Sequence, residues 1–253
     1  MIKIGIIGGS GLDDPKLFQN AVELNSTTSY GPPSSALTAG QVDGVDILLL
    51  ARHGKQHTLS PAQVNYRANI QALKDQGVTH IIATTACGSL REEIRRGDFV
   101  IIDQFIDFTK QRIMTFNDAF ENGIIHTPMA EPFDAELRKL LFETAQNLDF
   151  RVHKKGTVVT IEGPRFSTIA ESKMFRLWGA DVINMSVATE AILANEAGIP
   201  YSVVAMSTDY DCWKEDEEPV TWDDVVQVFT DNAARVIELL KKVVPMIDKK
   251  RIE

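Results

Sequence analysis

The sequence is poor in cysteine and in long apolar runs, and both deficits exclude classes of protein. Only Cys87 and Cys212 occur among 253 residues, so a disulfide framework is excluded. The longest apolar runs, such as 47–51 and 203–206, are far shorter than the roughly 20 residues that a helix needs to cross a bilayer. The chain opens without the pattern of a secretory signal. We therefore expect a cytoplasmic protein that does not contact the membrane.

Positive charge is also scarce. Lys and Arg number 26 against 35 Asp and Glu, which gives a net charge of −9. Surfaces that bind nucleic acids are basic because they neutralise phosphate backbones, so a nucleic-acid partner is not expected. A small anion can still bind where a few basic residues converge. No set of His, Cys and carboxylate residues has the spacing of a metal site, so no metal is expected.

Short apolar runs alternate with helical patterns along the whole chain, which predicts one α/β domain over residues 1–253. Ser60 and Pro61 have the pattern of an N-cap and first helical residue, and Gly77 has that of a helix stop. Strands are predicted at 2–7, 46–51, 80–84, 99–103, 157–161, 181–184 and 201–207. Helices are predicted at 61–77, 135–147, 168–178, 187–197 and 222–243, with a long loop at 107–133.

Groups suited to an oxyanion follow three of the predicted strands. Arg52 and His53 come directly after one strand, and a buried arginine at that point favours phosphate or carboxylate as a partner. The residues 84–89 add hydroxyls and small side chains after another strand. The glycine-rich stretch 8–11 can aim N–H groups at an anion, although a plain glycine turn explains it equally well. Within 84–89, Cys87 has no neighbouring base in the sequence and is interpreted as a small buried thiol.

Two carboxylates, Asp209 and Asp211, follow the last predicted strand. At a spacing of i and i+2 they can face one ligand if the chain stays extended. Aspartate also caps helices and organises turns, so catalytic and structural roles both remain open at this point.

Taken together, these segments resemble the trimeric purine nucleoside phosphorylase superfamily over nearly the full length, and within it the branch that acts on 5'-methylthioadenosine. The resemblance rests on the motifs Ile6–Leu12, Ala51–Gly54, Thr84–Leu90, Pro128–Phe133, Glu162–Ser167, Val182–Met185 and Thr208–Trp213.

This resemblance implies a central mixed β-sheet flanked by helices, a homotrimer, and no metal or organic cofactor. It implies phosphate-dependent cleavage of 5'-methylthioadenosine to adenine and 5-methylthioribose 1-phosphate, with inorganic phosphate as co-substrate. The implied phosphate-binding residues are Ser10, Arg52, His53, Thr85, Ala86 and Ser186. The residues that match those around the ribose and its 5' substituent are Met185, Phe166 and His126. The catalytic pair that recognises the purine corresponds to Asp209 and Asp211, and the positions near this pair are Ser167 and Val225.

The resemblance also predicts the choice of base. Superfamily members that act on 6-oxopurines carry Glu at the position of Ser167 and Asn at that of Asp209, so this chain is similar to the 6-aminopurine class at both. Three alternatives remain open: a 6-oxopurine or methylthioinosine phosphorylase, a hydrolytic nucleosidase, and a nucleoside-binding sensor without turnover.

Overall fold

The computed structural model describes residues 2–8, 19–120, 123–214, 216 and 221–249. The side chains at 19, 222, 224, 225, 229, 231, 248 and 249 are likewise outside the description. Ser10 and the side chain of Val225 therefore lie outside the described residues, and their predicted roles stay predictions.

Within the described residues the chain forms eleven strands and five helices. The strands are β1 (Lys3–Gly8), β2 (Gln19–Leu24), β3 (Leu37–Val42), β4 (Val45–Ala51), β5 (His80–Ser89), β6 (Phe99–Ile101), β7 (Gln104–Phe108), β8 (Val152–His153), β9 (Thr157–Ile161), β10 (Val182–Asn184) and β11 (Tyr201–Tyr210). The helices are α1 (Tyr66–Asp75), α2 (Ala135–Asn147), α3 (Ile169–Leu177), α4 (Val187–Glu196) and α5 (Trp222–Lys249).

All eleven strands join one mixed sheet, in which β5 is the central strand. The main order is β2-β3-β4-β1-β5-β10-β9-β7, while β11 pairs with the other edge of β5 and leads on to β6 and β8. The first half of β5 pairs in parallel with β1, and its end pairs antiparallel with β10, where Ser89 lies opposite Val182. The second half of β5 is thereby held between β10 and β11. The fold is the expected α/β arrangement with a mixed sheet flanked by helices.

Helices cover both faces of the sheet, which explains why the strands are apolar on both faces. In β1, Ile6 packs with α2 and α5, whereas the next residue, Ile7, packs in the cluster that includes α1 and α4. The same alternation separates Leu49 from Leu50 in β4. No helix among the described residues combines the length and the hydropathy required to cross a bilayer.

The helix predicted to begin at Ser60 and Pro61 is wrong at its start. The helix α1 begins at Tyr66, and its N-cap is Asn65, whose side-chain oxygen accepts a hydrogen bond from the backbone N–H of Ala68. The predicted loop at 107–133 overlaps the end of β7. The strands β2, β3, β7 and β8 were not predicted, and α5 continues from the predicted end at 243 to 249.

Candidate active site

The ends of β4, β10 and β11 and the second half of β5 surround a cavity of about 500 Å³. Ten of the thirteen residues predicted for the site line it: Arg52, His53, Thr85, Ala86, Phe166, Ser167, Met185, Ser186, Asp209 and Asp211. These residues come from five separate stretches of sequence, so the fold brings together what the chain keeps far apart.

Arg52 lies at one end of the cavity and is almost fully buried. Its Nε and Nη2 atoms donate to the two carboxylate oxygens of Glu190, at 2.5 and 3.0 Å, and Nη1 donates to the carbonyl of Thr84 at 2.9 Å. Tyr201 donates its hydroxyl hydrogen to the same carboxylate at 2.9 Å. Burial by itself lowers the pKa of Arg52, but the charge and hydrogen bonds of Glu190 outweigh it and raise the pKa. The guanidinium is therefore permanently charged.

The role of Glu190 was missed from the sequence. We expected phosphate or carboxylate as the partner of a buried Arg52 and took this as a sign of an oxyanion ligand, but the protein supplies a carboxylate of its own at this position. The available signal was a carboxylate in the first turn of α4, a helix whose first five residues are all buried. The three contacts of Arg52 use three of the five guanidinium N–H groups and leave two for a ligand.

His53 lies beside Arg52 in a tight turn after β4. Its Nδ1 atom is 2.9 Å from the carbonyl oxygen of Leu59, and the N–H of Leu59 donates back to the carbonyl of His53 at 3.1 Å. The ring stacks on that of His57, with 4.4 Å between centroids. Burial, and next the charge of Arg52, lower the pKa of His53 to about 4. The imidazole is therefore neutral at pH 7.

Hydroxyl groups and a helix N-terminus complete this end of the cavity. Thr85 accepts a hydrogen bond from the side chain of Asn184 at 3.3 Å and donates to the carbonyl of Ala86 at 2.9 Å. Ser186 is the N-cap residue of α4, yet its side chain makes no capping hydrogen bond. A guanidinium, hydroxyls and the N-terminus of a helix are groups that bind oxyanions.

Two buried carboxylates form another wall of the cavity. Asp209 accepts a hydrogen bond from the hydroxyl of Thr208 at 2.7 Å, and Asp211 accepts one from Ser167 at 2.6 Å. The register between β11 and β5 shifts between Ser207 and Asp209, as in a β-bulge. A bulge of this kind re-aims the side chains that follow it, and here both carboxylates line one cavity.

Cys87 lies beside this wall as a buried thiol, as we interpreted it from the sequence. Its side chain is 3% exposed, and burial, together with the charge of Asp209, raises its pKa well above the usual value. A thiol held in its protonated form is a poor nucleophile, so we assign Cys87 no catalytic role.

Apolar side chains border the rest of the cavity. Phe166 is half-exposed, and Met185 packs against Gly163, a residue with φ of 65°. Residues 57–61 also line the cavity. None of them was predicted for the site, and Ser60 and Pro61 were predicted to begin a helix instead. Val226 of α5 reaches it as well. His126, by contrast, is exposed outside the cavity, edge-on to Phe120.

Comparison with known proteins agrees with this geometry. The model of the phosphorylase superfamily matches residues 3–245. S-methyl-5'-thioadenosine phosphorylases from Danio rerio and Xenopus tropicalis are 55% and 56% identical to this chain, over 97% of it and 89% of each relative.

Solved structures agree as well. Methylthioadenosine phosphorylase from Schistosoma mansoni in complex with adenine superimposes with a TM-score of 0.94 at 43% identity, covering 98% of this chain and 93% of that one. A variant of the adenosine/methylthioadenosine phosphorylase from the same organism, in complex with methylthioadenosine, gives 0.93 at 42% identity, over 98% and 92% of the two chains. From the matched family model and these relatives, we conclude that the chain belongs to the phosphorylase superfamily.

Proposed function

We propose that this protein cleaves 5'-methylthioadenosine with inorganic phosphate and releases adenine and 5-methylthioribose 1-phosphate. The observation that carries the proposal is that one cavity joins a group of oxyanion-binding residues around Arg52 to a pair of buried carboxylates, Asp209 and Asp211. The relatives named above support the choice of substrate, because they are methylthioadenosine phosphorylases and one was solved with methylthioadenosine bound.

The reaction requires phosphate to attack the anomeric carbon of the ribose while the purine leaves. A phosphate oxygen forms the new bond to C1', and the electron pair of the broken C1'–N9 bond passes to the purine. The ribose carries positive charge in the transition state, as in other glycosyl cleavages, so a phosphate held nearby both positions the nucleophile and stabilises that charge. The residues proposed to bind the phosphate are Arg52, His53, Thr85, Ala86, Ser186 and Ser10.

The departing purine needs a proton or a hydrogen bond at N7. Asp209 is proposed to donate it through the O–H group of its protonated form, and its other carboxyl oxygen accepts from the 6-amino group. Asp211 and Ser167, joined by their 2.6 Å hydrogen bond, stand beside the base. A 6-oxo group offers an acceptor where the site needs a donor, and an unpaired buried polar group costs about 1–3 kcal/mol. Adenine nucleosides are thus preferred over inosine-type ones.

The apolar part of the cavity suits the methylthio group. Phe166 and Met185 are proposed to contact the sugar and its 5' substituent, with His126 and Val225 contributing. We further propose a cytosolic homotrimer without metal or organic cofactor. His126 is exposed beside Ile124, of which 75% is accessible, so this segment is available to a neighbouring subunit in such an assembly.

The decisive experiment measures release of adenine from 5'-methylthioadenosine by the purified protein, with and without inorganic phosphate, beside methylthioinosine and adenosine. Release that requires phosphate, with methylthioadenosine the best substrate, is the expected result. Release without phosphate would identify a hydrolase. Preference for methylthioinosine would overturn the assignment of the base. If no nucleoside released its base, a nucleoside-binding sensor without turnover would be the remaining alternative.

A double variant tests the anion site without creating an unpaired buried charge. Arg52→Gln combined with Glu190→Gln replaces the ion pair by two neutral amides of similar size. The KM for phosphate should rise at least about tenfold in this variant, because hydrogen bonds to a charged group contribute about 1.5–3 kcal/mol. An unchanged KM for phosphate would show that phosphate binds elsewhere in the protein.

A further inference from the structure

The anion end of the cavity carries little net positive charge. Arg52 lies in it, but the carboxylate of Glu190 binds the guanidinium through both of its oxygens. His53 is neutral at pH 7, as its pKa of about 4 requires. Electrostatic attraction between the site and an anion therefore does not explain how the site selects an oxyanion. The arrangement of hydrogen-bond donors and acceptors must then determine which anion binds.

The tautomer of His53 follows from its backbone contact. A carbonyl oxygen can only accept a hydrogen bond, so the Nδ1 atom that lies 2.9 Å from the Leu59 carbonyl must carry the hydrogen. The reciprocal bond from the Leu59 N–H to the His53 carbonyl closes this turn on itself. In a neutral imidazole the other nitrogen, Nε2, then has a lone pair and no hydrogen. His53 can offer a ligand in the cavity only an acceptor.

The charged neighbours of the ring reinforce this state. The charges of Arg52, His57 and Arg112 all act against protonation of His53. The hydrogen bond to Leu59 favours protonation but is outweighed.

From this geometry we propose that His53 selects an oxyanion that carries a hydrogen, accepting a hydrogen bond from it at Nε2, while Arg52 and the hydroxyl of Ser186 donate to the unprotonated oxygens. Hydrogenphosphate and hydrogenarsenate have such a P–OH or As–OH group at pH 7.5, whereas sulfate has none. Sulfate would place an oxygen lone pair against the lone pair of Nε2. The inference rests on the proposed function, since it concerns the phosphate of that same reaction.

Competition between anions tests the proposal on the wild-type protein. The KM for phosphate is compared with the inhibition constant of sulfate at pH 7.5 and constant ionic strength, with arsenate as alternative co-substrate. Arsenate should substitute for phosphate, and sulfate should bind roughly 10- to 100-fold more weakly than phosphate, the factor expected for an unmatched buried polar contact. Sulfate binding as tight as phosphate would overturn the proposal even if phosphate-dependent turnover is intact. Absence of turnover would instead contradict the proposed function.

The variant His53→Gln should reduce this discrimination, because a glutamine amide can rotate to present either its N–H or its oxygen. The ratio of the sulfate inhibition constant to the phosphate KM is expected to fall at least about fivefold. The matched control is His80→Gln at the start of β5, which should keep the wild-type ratio. An unchanged ratio in His53→Gln would contradict the role given to Nε2.

Nitrogen-15 spectra of the histidines provide a readout that needs no turnover. With His53→Gln to assign the signal, the folded protein at pH 7.5 should show hydrogen on Nδ1 of His53 and none on Nε2, before and after addition of phosphate. Phosphate should shift the Nε2 resonance. Hydrogen on Nε2 in the phosphate-bound protein would refute the proposal whatever the state of the enzyme's activity.

Discussion

The guanidinium of Arg52 and the carboxylate of Glu190 form a buried ion pair with two parallel hydrogen bonds, although 138 residues separate them in the sequence. Arg52 follows β4 and Glu190 lies in the first turn of α4, so the pair ties a strand end to a helix start. Such a pair holds the guanidinium, which lines the cavity, in one orientation and supplies the charge balance that lets an arginine be buried.

Removing one partner of this pair should destabilise the protein strongly. In Glu190→Ala the charge of Arg52 remains buried without a counter-ion, so the free energy of unfolding should fall by about 3–5 kcal/mol. Urea unfolding with and without phosphate measures the effect, and phosphate should stabilise the variant more than the wild type because it can replace the lost carboxylate. The control is Glu171→Gln, which weakens the exposed pair with Arg165. It should change stability far less, and equal losses in both variants would contradict the argument.

Adding a methyl group at Gly163 should disturb substrate binding through Met185. A Cβ atom at Gly163 would lie 2.5 Å from the sulfur of Met185, and the φ of 65° disfavours any side chain there. Gly163→Ala should therefore lose roughly 1–2 kcal/mol of stability and also raise the KM for the nucleoside several-fold.

A matched glycine separates these two causes. Gly198 has a similar φ of 71°, but a Cβ atom there meets nothing within 4 Å. Gly198→Ala should show the backbone strain alone, with an unchanged KM for the nucleoside. If both variants raise that KM equally, the displacement of Met185 is not the cause.

Asp209→Asn should alter the preference for the base. The hydroxyl of Thr208 now donates to one carboxylate oxygen of Asp209, and an amide can keep that contact through its own oxygen while its NH2 group faces the ligand. We expect kcat/KM for methylthioadenosine to fall about 100-fold or more and the ratio of methylthioinosine to methylthioadenosine to rise. Parallel rate measurements on the two nucleosides test this. Unchanged relative kinetics would remove Asp209 from recognition of the base.

The low pKa of His53 predicts a loss of stability in acid. Its pKa is about 4 in the folded protein, against 6.5 for an ordinary histidine. In the window between those values the unfolded chain binds a proton that the folded protein does not, so unfolding becomes easier as pH falls from about 6.5 toward 4. At pH 5 this contribution amounts to about 2 kcal/mol relative to pH 8.

Urea unfolding of wild type and His53→Gln at pH 8 and pH 5 isolates this contribution. The wild type should lose more stability between the two pH values than the variant, by about the 2 kcal/mol given above. The same loss in both proteins would show that His53 does not titrate in this way.

The sequence by itself determined the α/β class, most strand positions and the chemistry of the cavity. Apolar runs such as 47–51 encode strands that are buried on both faces, because this property belongs to the residues themselves. Arg52, Asp209 and Asp211 were recognisable because each lies at or just beyond the end of such a strand. The helix start at Asn65 was misplaced because Ser60 and Pro61 have the local pattern of a helix start while their stretch is used to line the cavity.

Only the tertiary structure decided how these groups act. The partnership of Arg52 with Glu190, and the tautomer of His53, depend on contacts that local spacing does not encode. The pairing of β5 with both β10 and β11 brings Met185 and Asp209 to one cavity. The charge state of a side chain in that cavity depends on how deeply it is buried and on the charges around it. The residue types came from the chain, and their protonation and partners came from the fold.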